Sequence, residues 1–224
     1  MTTQPAPPST AADPVAGAPA IALSLFVFSI FYGGMVCIAG VLGHKQVALG
    51  PLAVEAGIFA FLMLVITSSA VAELFDRATA NRLVVIGFVP LVASMLLILL
   101  VLALPAAPEM DADRLSGFQL VLGQSPRLML AGIIAYGISQ LLNVTIFTRL
   151  RQETGSLLWL RAGIASVLSQ IVDTLLFITI AFYGVFPISE LLMGQMLAKV
   201  VLSVVMVPPL IYLFVALGRR LDAR

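Results

Sequence analysis

Seven polar or charged residues stand inside or at the ends of long apolar runs: Glu73, Gln140, Asn143, Arg161, Gln170, Asp173 and Lys199. An ionisable side chain costs about 2.5–3.5 kcal/mol at the centre of a membrane helix, so such residues are rare without a purpose. A carboxylate accepts N–H donors in pairs, a side-chain amide offers a donor beside an acceptor, and ammonium and guanidinium groups only donate. Such a set suits the gripping of a small polar molecule. Asp173 stands out most. It lies twelve residues beyond Arg161, roughly 18 Å along a helix and near the middle of a bilayer. Its charge reads either as half of an ion pair with Lys199 or as a ligand in a cavity. Glu73 reads first as the i, i+4 partner of Arg77. Arg161 and Trp159 read as interface anchors or as binding groups. Glu55 reads as a charge near the outer surface, where it costs little.

Four of these residues belong to a repeat. Ser139-Gln140-Leu141-Leu142-Asn143 runs on to Phe147, and Ser169-Gln170-Ile171-Val172-Asp173 runs on to Phe177. Both obey S-Q-x-x-[N/D]-x-x-x-F, which puts Ser, Asn or Asp, and Phe on one helix face with Gln beside it. Gln140 is nine residues from Arg149 and Gln170 nine from Arg161. In antiparallel helices the two glutamines therefore reach similar depth and form one polar layer. Gln, Asn and Ser also join membrane helices to each other, at about 0.6 kcal/mol per contact. Packing and binding both remain open for these amides.

The elements that must carry these residues follow from composition. The chain of 224 residues is 61% hydrophobic and 10% charged, with a mean hydropathy of +1.11. Soluble domains carry about 25% charged residues to wet their surface, so the solvent here is lipid. The net charge is only +1, and no basic run is long enough to suggest nucleic acid. One cysteine, Cys37, and one histidine, His44, are too few for a zinc site. A bilayer core of about 30 Å takes roughly 20 apolar helical residues. Six runs qualify: Ile21–Gly43, Pro51–Ala72, Leu83–Leu104, Leu128–Phe147, Ala162–Phe186 and Leu191–Leu217, the last interrupted by Pro208-Pro209. The expected fold is an all-α membrane domain over residues 20–218. A Pro-rich stretch, residues 1–19, is expected as a disordered cytoplasmic tail and not a signal peptide. Residues 219–224 are expected as a basic tail. Arg77, Arg82, Arg149, Arg151, Arg161, Arg219, Arg220 and Arg224 collect on one side, against Lys45, Arg114 and Arg127 on the other. The richer side is cytoplasmic, which places both termini inside.

At these motifs the chain resembles the queuosine precursor transporter family, also called the vitamin uptake transporters. The resemblance rests on Pro126-Arg127, Ala135-Tyr136, Ser139-Gln140, Phe147, Trp159-Leu160-Arg161, Ser166, Ser169-Gln170, Asp173-Thr174, Phe177, Ala181-Phe182, Lys199, Pro208 and Tyr212. It is weaker around Lys45, Ala56-Gly57 and Glu73. Ser69, Asp76 and Asn143 depart from the family pattern, in which Asp, Gly and Asp are common. The resemblance implies six helices in a bacterial inner membrane and uptake of 7-deazaguanine bases for queuosine salvage. Its implied partners are the base and membrane lipid, with room for a homo-oligomer, and it implies no cofactor and no nucleic acid. Asp173, Gln170, Gln140, Asn143, Lys199, Glu73 and Arg161 are the expected substrate-binding residues. The alternative is a substrate-binding subunit of an energy-coupling vitamin importer. Catalysis is not expected, since H-E-x-x-H is absent and the one histidine, His44, lies in a loop, leaving no His base within the spans.

The charge bias makes a measurable prediction about topology. A reporter fused after Arg220 should be active in the cytoplasm, and one fused near Asp111 should report the periplasm. The same compartment for both fusions would mean that the number of spans is wrong.

Overall fold

A computed structural model describes residues 21–49, 52–154, 157–185 and 188–223. With no water in the bilayer core, a spanning backbone must satisfy its own N–H and C=O groups, and a helix does so within one segment. The chain runs through α1 (Leu23–Leu42), an antiparallel hairpin of β1 (Gln46–Leu49) and β2 (Leu52–Glu55), and α2 (Gly57–Leu74). There follow α3 (Arg77–Ile86) and α4 (Phe88–Ala103), which together make one span, and α5 (Ala112–Leu122). Three long helices complete it: α6 (Pro126–Thr154), α7 (Leu158–Phe182) and α8 (Ser189–Asp222). Among the described residues six spans are long and apolar enough to cross a bilayer. The protein is a multi-pass membrane protein.

Several boundaries differ from the sequence expectation, each for a local reason. The second helix begins at Gly57, not Pro51, because residues 52–55 pair with β1 and set Glu55 opposite Gln46. A Cβ at Gly57 would lie 2.7 Å from the Ala39 carbonyl, so this glycine lets α2 start against the end of α1. The third span starts at Arg77, not Leu83, with Asp76 as N-cap accepting from the Thr79 N–H at 2.6 Å. That bond holds the Asp76 carboxyl below its ordinary pKa. The span then breaks at Gly87. The connection expected as a loop contains α5, capped by the Asp111 carboxylate on the Arg114 N–H at 3.0 Å. Pro208 and Pro209 do not interrupt α8, which is continuous across them; membrane helices tolerate proline where neighbours re-satisfy the freed backbone groups. α8 also runs to Asp222, so residues 219–222 extend a helix and are not a separate tail. The expected N-terminal tail lies outside the described residues.

α2 is the centre of the bundle. Twelve of its eighteen residues are buried, whereas α4 buries none and turns an apolar surface to lipid. α6 packs along α7, α7 along α8, and α8 returns to α2. The ends are tied as well. Asp222 accepts from the Ser24 N–H at 2.8 Å and from its hydroxyl at 2.6 Å, an anion at the N-terminus of α1. Both ends of the described chain therefore lie on one face. On the opposite face Arg127 donates to the Ile180 and Tyr183 carbonyls at 2.6 and 2.7 Å, satisfying the last turn of α7.

The break at Gly87 is a packing constraint that can be tested. A Cβ there would lie 2.6 Å from the Tyr136 hydroxyl and 2.7 Å from the Tyr32 ring. Gly87→Val should lower stability by about 1–3 kcal/mol through overpacking, read as an earlier thermal transition in detergent. Gly163→Ala, where a Cβ meets open space, should not. Equal melting of both variants with the parent would show that the break is not set by these tyrosines.

Candidate substrate-binding site

The chemistry collects where α6, α7 and α8 meet. Asp173 and Lys199 are both buried, and the Lys199 Nζ lies 3.3 Å from Asp173 Oδ2. The Ser139 hydroxyl donates to Asp173 Oδ1, also at 3.3 Å. Three helices thus converge on one carboxylate. Desolvating two charges costs several kcal/mol each, so a buried pair with bonds this long is weak evidence of a stabilising role. It is better suited to exchanging partners.

Asp173 and Lys199 line a cavity of about 270 Å³ that reaches from the end of α1 and the hairpin into the bundle. The volume falls just below the roughly 300–1,000 Å³ of drug-sized ligand sites, which fits a small molecule. Phe61, Tyr136 and Phe177 supply aromatic surface, and Glu55 and His44 add polar groups near the hairpin. The Tyr136 ring is fixed by its edge-on contact with Phe88 and by the 2.9 Å bond between the Tyr136 and Tyr32 hydroxyls. Glu55 was expected as an inexpensive surface charge, but it faces the same cavity as Asp173. Burial raises the pKa of its carboxyl, with Lys199 opposing, Asp173 adding and His44 opposing. The signal for it was a carboxylate next to an otherwise unbroken apolar run.

The amides sit elsewhere. Gln140, Asn143 and Gln170 are fully buried and are not among the residues lining the cavity. The Ser139–Asp173 bond sets the register of the antiparallel α6 and α7. Gln140 and Gln170 are then two residues out of step, about 3 Å in depth. They do not bond each other. Instead, Gln140 Oε1 accepts from Ser68 at 3.4 Å, and Asn143 Nδ2 donates toward Ser69, Ser68 and the Val65 carbonyl at 3.1, 3.3 and 3.4 Å. Gln140 Nε2, Asn143 Oδ1, Ser166 Oγ and both polar atoms of the Gln170 amide have no hydrogen-bond partner among the described residues.

Glu73 and Arg161 form a second cluster. Glu73 pairs with Arg161 at 2.9 Å and not with Arg77, whose Nη2 donates to Thr145 at 3.0 Å. Arg161 is 2% exposed and lies 4.8 Å above the Phe147 ring, so it is a core residue and not an interface anchor. This pair stands twelve residues along α7 from Asp173, roughly 18 Å away. The seven expected residues therefore occupy two ion pairs and a seam of amides between them.

Residues 55–214 match the family model described as "Putative vitamin uptake transporter". The chain belongs to the vitamin uptake transporter family. It is also similar to a Bacillus subtilis (strain 168) protein described as "Probable queuosine precursor transporter", with 29% identity over 142 residues. That alignment covers 61% of each chain, so the match spans about three fifths of the relative's length. No solved structure matches. The match to the vitamin uptake transporter family takes in both ion pairs and the amide seam. Two of the chain's departures from the family pattern, Ser69 and Asn143, bond each other, and the third, Asp76, caps α3.

The central pair can be separated into structural and binding roles. Asp173→Asn leaves the Lys199 ammonium buried without a counter-charge, at a cost of about 3–5 kcal/mol, and should lower the amount of folded protein. Adding Lys199→Met should restore that amount while uptake stays lost. Recovery of both in the double variant would assign the pair to structure alone.

Proposed function

We propose that the protein imports 7-deazaguanine bases, the precursors of queuosine, across a bacterial inner membrane with both termini in the cytoplasm. The single observation that carries this reading is the Asp173–Lys199 pair in an aromatic-walled cavity of about 270 Å³. A guanine-like edge presents a carbonyl beside two adjacent N–H donors. Lys199 matches the carbonyl and Asp173 the donors, so the base replaces each member of the pair with a complementary group. The flat ring then lies against Tyr136, Phe61 or Phe177. Aromatic stacking on a base is worth about 1–3 kcal/mol. The Bacillus subtilis relative's description supports the same substrate class. Membership of the vitamin uptake transporters does not favour the alternative of a substrate-binding subunit.

The orientation rests on the bias of eight cytoplasmic Lys and Arg residues against three. On that orientation the cavity faces outward, while Glu73–Arg161 and the amide seam stand on the cytoplasmic side. Secondary transporters commonly bind near the midplane and change the face on which the site is open.

Import is testable in a bacterium that can neither make nor import queuosine precursors. Expression of the protein with a low concentration of each candidate base should restore queuosine in tRNA for at least one of them. Asp173→Asn with Lys199→Met, in which the amount of folded protein is restored, should reduce that recovery by about tenfold or more, the scale of one lost charge-assisted bond. Absence of queuosine with every base, at normal protein level, would overturn the proposal.

A further inference from the structure

The end of the bundle that holds the Glu73–Arg161 pair carries a second recess, open and of about 690 Å³. Glu73, Arg151, Arg161 and Arg219 line it, with Leu158 and Tyr212 on its wall. Three guanidiniums therefore stand against one carboxylate, a surplus of positive charge among the described residues. Glu73 answers only one donor of Arg161, Nη2, at 2.9 Å. Arg161 Nε and Nη1 are buried and have no hydrogen-bond partner among the described residues. Phe147 covers one face of that guanidinium but accepts none of its N–H groups. Buried donors of a charged group are costly to leave unmade.

Arg151 and Arg219 form no ion pair among the described residues. They stand in the last turns of α6 and α8, where a cation suits the helix dipole. Arg161 does not. It stands at the start of α7, where the dipole is positive and disfavours a cation. Leu157, the N-cap of α7, supplies no side-chain bond to the first N–H groups, and Leu158 after it lines the recess. The bias of basic residues toward one side of a membrane accounts for exposed arginines, but not for a buried one with idle donors. A buried cation, an uncapped helix start and two further guanidiniums in one recess are the parts of an anion site.

We infer that this recess binds a phosphate group, supplied by an anionic phospholipid headgroup or by a soluble phosphate. Guanidiniums meet phosphate oxygens with paired N–H bonds. Basic recesses between membrane helices hold lipid headgroups in the same way. Tyr212 is 48% exposed on α8, an amphipathic ring at the rim where acyl chains would pass. A phosphate here ties the ends of α6 and α8 to the start of α7. The recess shares no lining residue with the cavity of Asp173 and Lys199, so the inference does not depend on which molecule is imported.

The test uses the purified full chain in a neutral detergent, with the single tryptophan, Trp159, in the first turn of α7 as the fluorescent reporter. Phosphatidylglycerol or inorganic phosphate should shift its emission saturably. Phosphatidylcholine, or sodium chloride at equal ionic strength, should not. Saturation by phosphatidylglycerol alone assigns the site to a headgroup, and saturation by inorganic phosphate assigns it to a soluble anion. Arg151→Gln with Arg219→Gln should weaken that binding by about tenfold or more, and each single change should give part of the loss. Arg149→Gln with Arg220→Gln removes the same charge from the same two helices, outside the recess, and should leave binding within about twofold of the parent. All four arginines are exposed, so every variant should melt with the parent before an anion is added. A parent that responds to neither anion would overturn the inference. Equal weakening by the two pairs would overturn it as well, since general surface charge would then account for the binding.

Discussion

Hydrocarbon offers no hydrogen bonds, and this constraint governs everything else in the molecule. Backbone groups meet it by forming helices, and the β1–β2 hairpin lies between two spans, at the end of the bundle. Side chains must meet it by finding each other. Those that do so define the architecture: Asp222 on the start of α1, Arg127 on the end of α7, and Tyr136 on Tyr32 beneath the break at Gly87. Others do so only incompletely. Buried atoms of Gln140, Asn143, Ser166 and Gln170 have no hydrogen-bond partner among the described residues. Such atoms are expensive where they are, at roughly 1–3 kcal/mol each.

The spans were legible because lipid demands a long apolar run, and no other physical requirement produces six of them. What was not legible arises where two rules give the same sequence. Leu52-Ala53-Val54 is apolar and continuous with α2, so periodicity could not tell a short strand from the first turn of a helix. α5 was hidden by the prolines that precede it, Pro105 and Pro108, although Asp111 three residues before Arg114 is an N-cap signature. The break at Gly87 depends on two tyrosines, one more than fifty residues before it and one nearly fifty after, which local sequence does not disclose.

The site shows the same division. Charge in an apolar run pointed to Asp173, Lys199, Glu73 and Arg161, and the repeated S-Q motif pointed to two antiparallel helices at matched depth. The pair of Asp173 with Lys199 was among the readings, but the partner of Glu73 was not legible, since pairing depends on the rotation of each helix about its axis. Glu73 had Arg77 four residues away, yet its partner is Arg161 on α7. Arg161 gains from this a neighbour that is also desolvated, and a ring of Phe147 to lie on. Glu55 failed for the opposite reason. Its position next to a loop implied water, whereas the hairpin folds it back over the cavity.

α7 carries both ion pairs, and they bind it to different partners: Asp173 to α8 and Arg161 to α2. Between them the α2–α6 seam is held by side-chain bonds of 3.1 to 3.4 Å, at or beyond the long end of ordinary hydrogen bonds. A transporter with a site at mid-depth has to open a different seam to reach each face. The helix ladders cannot yield, because lipid would leave their backbone groups unpaired. The α2–α6 seam can, because its long bonds give up little and some of its amide atoms have no partner among the described residues. The Arg161–Glu73 contact at 2.9 Å ties α7 to α2 at the end of the bundle where Asp222 ties α8 to α1. Arg161 thereby joins α7 to α2 beside the α2–α6 seam, where the amide bonds are long and Gln140 Nε2 and Asn143 Oδ1 have no partner among the described residues.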